Sequence, residues 1–214
     1  HLERRGLLQK PSGKLSKTEI LQLKYVFVGD KCSGKTSMIH TFIGKGFGQE
    51  YAPTTFDNYS ANYLWEERTI DMGLWDTAGV PDFAILRPLS YTGSDVFIIC
   101  FDVTNESSFD NVAKYWLPEK EANLSDCPWI LVGCKCDLLD NQEVLETTST
   151  IPYPYAARMA QKLGAVACLY CSARSAEGID VVMTTAIQAA LLGKNPTMLA
   201  NRSVSMGNLS CSVM

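Results

Sequence analysis

A glycine-rich loop between a predicted strand and a predicted helix restricts the folds that this chain can adopt. Residues 29–36 read GDKCSGKT and match the pattern G-x-x-x-x-G-K-[ST]; the strand-like run KYVFVGD precedes them and a helical pattern follows at residues 35–43. The backbone N–H groups of such a loop, together with the helix N-terminus, can surround phosphate groups. Lys35 is expected to neutralise the β- and γ-phosphates of a nucleotide, and the hydroxyl of Thr36 is expected to ligate Mg²⁺.

The rest of the chain alternates strand patterns with helical ones. Strands are predicted at residues 58–66, 69–75, 95–101, 129–134 and 167–171, and helices at 106–123, 153–163 and 179–192. The first two of these strands flank a charged turn, which predicts a hairpin. The third and fourth of these runs are continuously apolar, as is typical of parallel strands buried on both faces. We therefore predict an α/β fold with one mostly parallel, six-stranded sheet and helices on both of its faces.

Length and charge limit the other possibilities. A chain of 214 residues can bury one full-sized core, so one domain is predicted over residues 24–192, with a flexible extension over 1–23 and a flexible tail over 193–214. The formal net charge of −4 gives no electrostatic reason to expect nucleic acid as a partner. No apolar run approaches the roughly 18 residues that a membrane-spanning helix needs.

Eight cysteines raise the question of disulfides or a metal site. Only Cys168 and Cys171 form a C-x-x-C pair, and neither a second pair nor a histidine cluster completes a zinc site. Several of the others lie in apolar strand-like runs, where cysteine packs as a small hydrophobic residue. We therefore expect reduced, mostly buried thiols, as in a cytosolic protein.

Three further motifs follow predicted strands and extend the nucleotide site. In the motif DTAG, the carboxylate of Asp76 can reach Mg²⁺ through a water molecule, and the N–H of Gly79 can reach a γ-phosphate. In the motif KCD, Asp137 can accept hydrogen bonds from the N1–H and amino groups of guanine, while the stem of Lys135 lies along the base. In the motif CSA, the N–H of Ala173 can meet the guanine O6. Adenine lacks this pair of donors, the N1–H and the neighbouring amino group, so the motifs predict a guanine nucleotide.

In this order and spacing, the phosphate loop and the DTAG, KCD and CSA motifs resemble those of the small GTPases over residues 24–192. Within that superfamily the chain most resembles the Rho group, through YAPTTFDNY at residues 51–59, RPLSY at 87–91, WLPE at 116–119 and the cysteine before Lys135. The resemblance implies the P-loop small G-protein fold, GTP or GDP with Mg²⁺ as ligands, and signalling in actin organisation and membrane traffic.

The resemblance also assigns roles around the hairpin. It implies that Thr54 closes on Mg²⁺ and the γ-phosphate, that Phe47 packs against the guanine edge, and that Tyr51 covers the phosphates. Effectors are expected to bind two segments, the one from Thr54 to Tyr59 and the one that follows Gly79, which we call switch II. Exchange factors and dissociation inhibitors are further expected partners, and the protein is expected to be a monomer. The predicted nucleotide set is Asp30, Lys31, Cys32, Ser33, Gly34, Lys35, Thr36, Ser37, Phe47, Tyr51, Thr54, Gly79, Lys135, Asp137, Leu138, Ser172 and Ala173, and the metal set is Thr36, Thr54 and, through water, Asp76.

Three departures from the Rho pattern bear on hydrolysis and on partners. Lys31 stands at a glycine position of the phosphate loop, where a partner's arginine finger, a contact worth about 10³–10⁵ in rate, would approach. Val80 stands where a glutamine normally orients the attacking water, and valine has neither a donor nor an acceptor for that role. The Rnd subgroup of GTPase-deficient Rho proteins is altered at the same two sites and is also similar at Pro81. At residues 139–150 the Rho group usually carries a longer inserted helix. Partners that bind that insert are therefore not expected to carry over to this chain.

The last four residues, Cys211-Ser212-Val213-Met214, match a prenylation signal in which a terminal Met favours farnesyl. One lipid chain holds a membrane only marginally, and neither a polybasic patch nor a second cysteine accompanies it in the tail. We expect lipidation of Cys211 and weak or partner-assisted attachment to the cytoplasmic face of the plasma membrane or endomembranes, with a cytosolic pool.

Three functional hypotheses follow from the sequence. The first is a binding module that GTP holds in its active shape, with impaired hydrolysis because of Lys31 and Val80. The second is a conventional cycling Rho-type switch, whose hydrolysis depends on a GTPase-activating protein. The third is a P-loop kinase of small metabolites, which the Lys135 and Asp137 pair disfavours and for which no arginine-rich lid segment is found.

Overall fold

The structure is a computed structural model, and it describes residues 20–48 and 54–194. The strands are β1 Ile20–Gly29, β2 Phe56–Trp65, β3 Arg68–Thr77, β4 Val96–Asp102, β5 Trp129–Cys134 and β6 Ala167–Cys171. The helices are α1 Lys35–Phe42, α2 Glu106–Asn111, α3 Leu117–Leu124, α4 Gln142–Thr147, α5 Tyr153–Lys162 and α6 Ile179–Lys194. A π-helical turn, Val112–Trp116, joins α2 to α3, and 3₁₀ turns lie at Pro81–Phe83, Arg87–Ser90 and Cys136–Asp140.

All six strands form one sheet in the order β2-β3-β1-β4-β5-β6. Only the hairpin pair β2 and β3 is antiparallel, and the other four pairings are parallel. Every residue of β4 and β5 is buried, which explains why both strands are apolar in sequence up to Asp102 at the end of β4. The predicted α/β fold and the predicted hairpin are confirmed.

Helices cover both faces of this sheet and divide the core into two layers. On one face, α1 and α6 contribute Met38, Ile39, Val182 and Ile187 against odd-numbered residues of β1. On the other face, the segment from α2 to α3 and helix α5 supply the opposite layer, which includes Phe109, Val112, Trp116, Leu117, Ala156 and Ala160. With both faces occupied, the edge at the carboxyl ends of the parallel strands remains open to hold a ligand.

Several elements differ from the sequence prediction in their bounds, and three of the differences affect the limits of the domain or the geometry of a helix. The strand predicted to begin at Lys24 begins at Ile20, because residues 20–23 pair with β3 from Thr69 to Met72. The last helix extends to Lys194, and the helix predicted over residues 106–123 contains the π-helical turn. The rest of the predicted extension and tail, residues 1–19 and 195–214, lies outside the described residues.

The described ranges also bear on the predictions made for the cysteines and for membrane-spanning helices. All seven cysteines within them are free thiols. Cys100, Cys127, Cys134 and Cys171 are buried, Cys136 and Cys168 are partly buried, and Cys32 is exposed, so the expectation of mostly buried thiols is confirmed there. Among residues 20–48 and 54–194, none of the helices has the length and apolar character needed to span a bilayer. The stretch from 139 to 150 contains the short helix α4.

Candidate nucleotide-binding site

A cavity of about 530 Å³ opens at the carboxyl ends of the parallel strands. The loops after β1, β3, β5 and β6 all reach it, so four motifs that are far apart in sequence meet at one edge. Its lining includes the following residues of the predicted nucleotide set: Lys31, Cys32, Gly34, Lys35, Thr36, Ser37, Phe47, Thr54, Gly79, Lys135, Asp137, Leu138 and Ala173. This volume falls within the range of small-molecule sites, about 300–1,000 Å³.

The phosphate loop passes tightly from β1 into α1. Gly29 has a φ of 142°, and a Cβ placed on it would lie 2.1 Å from the carbonyl oxygen of Cys100 on β4. No other residue fits there, because both the backbone conformation and the space exclude a side chain. The close approach of β1 to β4 therefore sets where the loop begins and where its N–H groups lie.

Lys35 is the buried cation of this loop. Its side chain crosses back under the loop, and Nζ donates to the carbonyl oxygens of Gly29 at 2.8 Å and Asp30 at 2.9 Å. Burial lowers the pKa of Lys35, and the nearby thiols and the carboxylate of Asp76 oppose that shift. An ammonium held beneath a loop of backbone N–H groups suits an anionic phosphate chain, because the anion's charge compensates its desolvation.

The three residues predicted to hold the metal come together. Thr36 Oγ1 donates to Asp76 Oδ2 at 2.6 Å and lies 2.8 Å from Thr54 Oγ1. Burial raises the pKa of Asp76 to about 6, against the lowering effects of the Thr36 hydrogen bond and the charge of Lys35. The other carboxylate oxygen, Oδ1, is buried and has no hydrogen-bond partner within the described part of the chain.

An unpartnered buried carboxylate oxygen is costly, and a hard cation with its water shell would satisfy it. Two hydroxyls and one carboxylate are oxygen donors of the kind that Mg²⁺ prefers, and Mg²⁺ keeps several waters in most sites. The arrangement therefore fits Mg²⁺ held by Thr36 and Thr54, with Asp76 reached through water. Its role would be to neutralise phosphate charge.

The DTAG segment lies against the phosphate loop. The N–H of Lys31 donates to the carbonyl oxygen of Gly79 at 2.9 Å. A Cβ on Gly79 would come within 2.4 Å of the Lys31 nitrogen, so a side chain at this position would push the two segments apart. The start of switch II is thus fixed beside the phosphates that the loop would hold.

The opposite end of the cavity carries the residues predicted to read the base. Lys135 Nζ donates to Asp102 Oδ2 at 2.6 Å, which fixes the direction of the lysine stem. Asp137 Oδ1 accepts from the buried Ser172 hydroxyl at 2.6 Å, which leaves Oδ2 available for a ligand. The carbonyl oxygen of Ala173 accepts from Thr41 of α1 at 3.0 Å, so the loop after β6 is also held in place.

Four predicted residues lie behind the lining of the cavity. Asp30 turns its carboxylate towards α2 and the π-helical turn, where Asn111 and Trp116 donate to it. Ser33 is buried, and its hydroxyl has no partner among the described residues. Asp76 and Ser172 form hydrogen bonds to lining residues, Asp76 to Thr36 and Ser172 to Asp137. Tyr51 and Cys211 lie outside the described residues.

The sequence predictions leave out several residues at the site, among them the charged residues Asp102 and Arg174. Asp102, the partner of Lys135, ends the apolar strand β4, and a carboxylate at the end of a buried strand could have drawn attention to it. Arg174 borders the cavity directly after Ala173, and its position next to the CSA motif was the available signal. Both lie at the base end of the cavity.

Comparison with known protein families agrees with this geometry. The family model described as Ras family matches residues 24–192, from the middle of β1 almost to the end of α6. The match covers most of the chain and includes every loop that lines the cavity. The chain therefore belongs to the Ras family, whose members are GTP-binding signalling GTPases.

Proposed function

We propose that this chain is a Rho-type member of the Ras family that binds GTP and GDP with Mg²⁺, hydrolyses GTP very slowly, and presents its switches to effectors. The observation that carries the nucleotide part is the shared cavity: the Lys35 ammonium and the Thr36–Thr54–Asp76 cluster lie at one end, and Lys135 and Asp137 at the other. A phosphate-binding end and a base-binding end in one cavity match a nucleoside polyphosphate.

Guanine preference is expected to depend on Asp137. In Asp137→Asn the amide donates where the carboxylate only accepts, so the variant should lose about 100-fold in GDP affinity and gain affinity for xanthosine diphosphate. Competition against a fluorescent nucleotide measures both affinities. Asp140→Asn, in the same 3₁₀ turn but exposed, is the matched control and should bind GDP as the wild type does. Unchanged guanine preference in Asp137→Asn would remove this residue from base recognition.

Slow hydrolysis is proposed from two residues that border the phosphate end of the cavity. Val80 lies directly after Gly79, where it offers an attacking water no hydrogen bond. Lys31 also borders the cavity, with an exposed side chain next to the same segment. Neither residue alters the loop or metal contacts described above, so we propose tight GTP binding together with weak hydrolysis.

An apolar pocket between switch II and the predicted effector segment, residues 54–59, supports effector binding. It has a volume of about 300 Å³ and is lined mainly by apolar side chains, among them Phe56, Trp75, Phe83, Leu86 and Leu89. Leu89 and Leu86 of switch II are 76% and 57% exposed, and Phe56 of β2 is 45% exposed, so apolar surface is available on both sides of the pocket. We propose that effectors bind here, because Thr54 and switch II both change their contacts with the terminal phosphate.

We also propose that the thiol of Cys211 carries a lipid that attaches the protein to the cytoplasmic face of membranes. The proposal is supported by the tetrapeptide motif in the sequence. Cys211→Ser, expressed in cells, is expected to move almost entirely into the soluble fraction, because prenyl transfer needs the thiol. Fractionation beside Ser212→Ala, which keeps the thiol, measures this. Equal membrane fractions for Cys211→Ser and the wild type would contradict it.

A further inference from the structure

Arg87 is a buried arginine that the nucleotide site described above does not use. It lies in switch II and is 4% exposed, and all three of its guanidinium nitrogens donate hydrogen bonds, one of them from Nη2 to the Tyr115 hydroxyl at 2.9 Å. Nε and Nη2 donate to the two carboxylate oxygens of Glu119 on α3, at 2.8 and 3.0 Å. The guanidinium also lies 4.5 Å from the ring centre of Trp116, in the π-helical turn.

The remaining nitrogen of Arg87 reaches the segment that touches the phosphates. Nη1 donates to the carbonyl oxygen of Ala78 and, at 3.3 Å, to that of Val80. These two carbonyls lie on either side of Gly79, whose own carbonyl accepts from Lys31 in the phosphate loop. The start of switch II is therefore held from two sides, by Arg87 and by the phosphate loop. We call the hydrogen bonds that join Arg87 to Glu119 and to the Ala78 and Val80 carbonyls the Arg87 clamp.

Because the peptide unit is rigid, the hydrogen bond from Arg87 to the Ala78 carbonyl also determines the direction of the Gly79 N–H. The C=O of Ala78 and the N–H of Gly79 belong to one planar trans peptide, in which the two groups point in opposite directions. Because the C=O points to Arg87, the Gly79 N–H points away from it. Gly79 borders the nucleotide cavity, and its N–H makes no hydrogen bond to any residue of the described ranges.

Glu119 keeps Arg87 in this position. A bidentate arginine–carboxylate pair fixes the plane of the guanidinium, and Tyr91 donates a further hydrogen bond to the same carboxylate. Burial alone would lower the pKa of Arg87, but the hydrogen bond and the charge of Glu119 raise it above its usual value. The guanidinium thus stays charged and has little freedom to rotate away from the Ala78 carbonyl.

We propose that Arg87, held by Glu119, is a positioning residue that orients the Gly79 N–H towards the terminal phosphate and thereby favours GTP over GDP. The inference rests on the proposed function, because it assigns Gly79 to the γ-phosphate of a bound guanine nucleotide. GDP lacks this phosphate, so the clamp should affect the affinity for GTP and leave the affinity for GDP nearly unchanged.

The test compares affinities for GDP and for the slowly hydrolysed analogue GTPγS in the wild type and in Arg87→Lys. Lysine keeps the charge and most of the stem but cannot bind Glu119 and the Ala78 carbonyl at once. We expect the ratio of GTPγS affinity to GDP affinity to fall about tenfold, the value of one hydrogen bond to a charged oxygen. Glu119→Gln tests the same clamp with a smaller change in volume, and we expect its ratio to fall in the same direction.

A spectroscopic readout separates positioning from general destabilisation. In protein labelled with [¹⁵N]glycine, the Gly79 amide resonance should shift on exchange of GDP for GTPγS, and this shift should be much smaller in both variants. Glu121→Gln, on the same helix and partly exposed, is the control and should behave as the wild type. An unchanged affinity ratio in both variants, or equal losses for the two nucleotides, would overturn the inference and leave the proposed function intact. A wild type that binds neither nucleotide would instead refute the proposed function.

Discussion

Replacing Lys35 by methionine is expected to lower the affinity for both GTP and GDP by roughly 1,000-fold, the loss of two charge-assisted hydrogen bonds to phosphate. Methionine retains the length and packing of the stem, so the variant removes the charge without opening a cavity. Lys35 Nζ now bonds to the carbonyl oxygens of Gly29 and Asp30, which shows that the ammonium lies directly under the loop. Isothermal titration calorimetry with each nucleotide in excess Mg²⁺ measures the effect.

The control for this experiment is Lys114→Met. Lys114 has the same side chain, but it is exposed and pairs with Asp110 on the surface, so its loss should change nucleotide affinity very little. Circular dichroism of both variants checks that the fold is retained. Near-wild-type affinity in a folded Lys35→Met protein would mean that residues 29–36 do not hold phosphate, whatever their sequence suggests.

Local signals in the sequence were sufficient to predict a mostly parallel, six-stranded sheet with helices on both faces, and the motifs supplied many of the residues that the structure places around the cavity. Strands such as β4 and β5 are buried on both faces, and continuous apolar runs reveal that burial directly. The motif residues follow the ends of strands, and parallel strands bring those ends to one edge of the sheet. The motifs alone therefore predict that Lys35, Thr36, Gly79, Asp137 and Ala173 lie around one ligand.

Two of the side-chain partnerships that the sequence did not reveal join residues far apart along the chain. Glu119 lies 32 positions from Arg87, and Asp102 lies 33 positions from Lys135. Each pair joins two elements whose packing angle no local pattern specifies. The same reason explains Asp30, whose backbone was expected at the phosphates and whose carboxylate instead bonds to Trp116, 86 positions further on. A single sequence specifies which elements form more readily than which side chains meet between them.

Hydrolysis is expected to recover only when two residues are changed together. Under the proposed function, the Val80 side chain cannot hold an attacking water in line with the γ-phosphate, and Lys31 lies where an arginine finger would approach. Both residues border the same end of the cavity, and the backbone N–H of Lys31 bonds to the residue before Val80. Their effects belong to one transition state, so they should not simply multiply.

The experiment is a double-mutant cycle of single-turnover GTP hydrolysis, with and without a GTPase-activating protein directed at Rho proteins. We expect Val80→Gln and Lys31→Gly to raise the stimulated rate less than about tenfold each, and the pair to raise it by roughly 10³ or more, because water and finger are then both in place. If the Lys31 ammonium instead folds onto the γ-phosphate and acts as a finger in cis, Lys31→Gly alone should lower the intrinsic rate. Wild-type hydrolysis as fast as that of the double variant would refute the proposed impairment and leave a conventional cycling switch as the function.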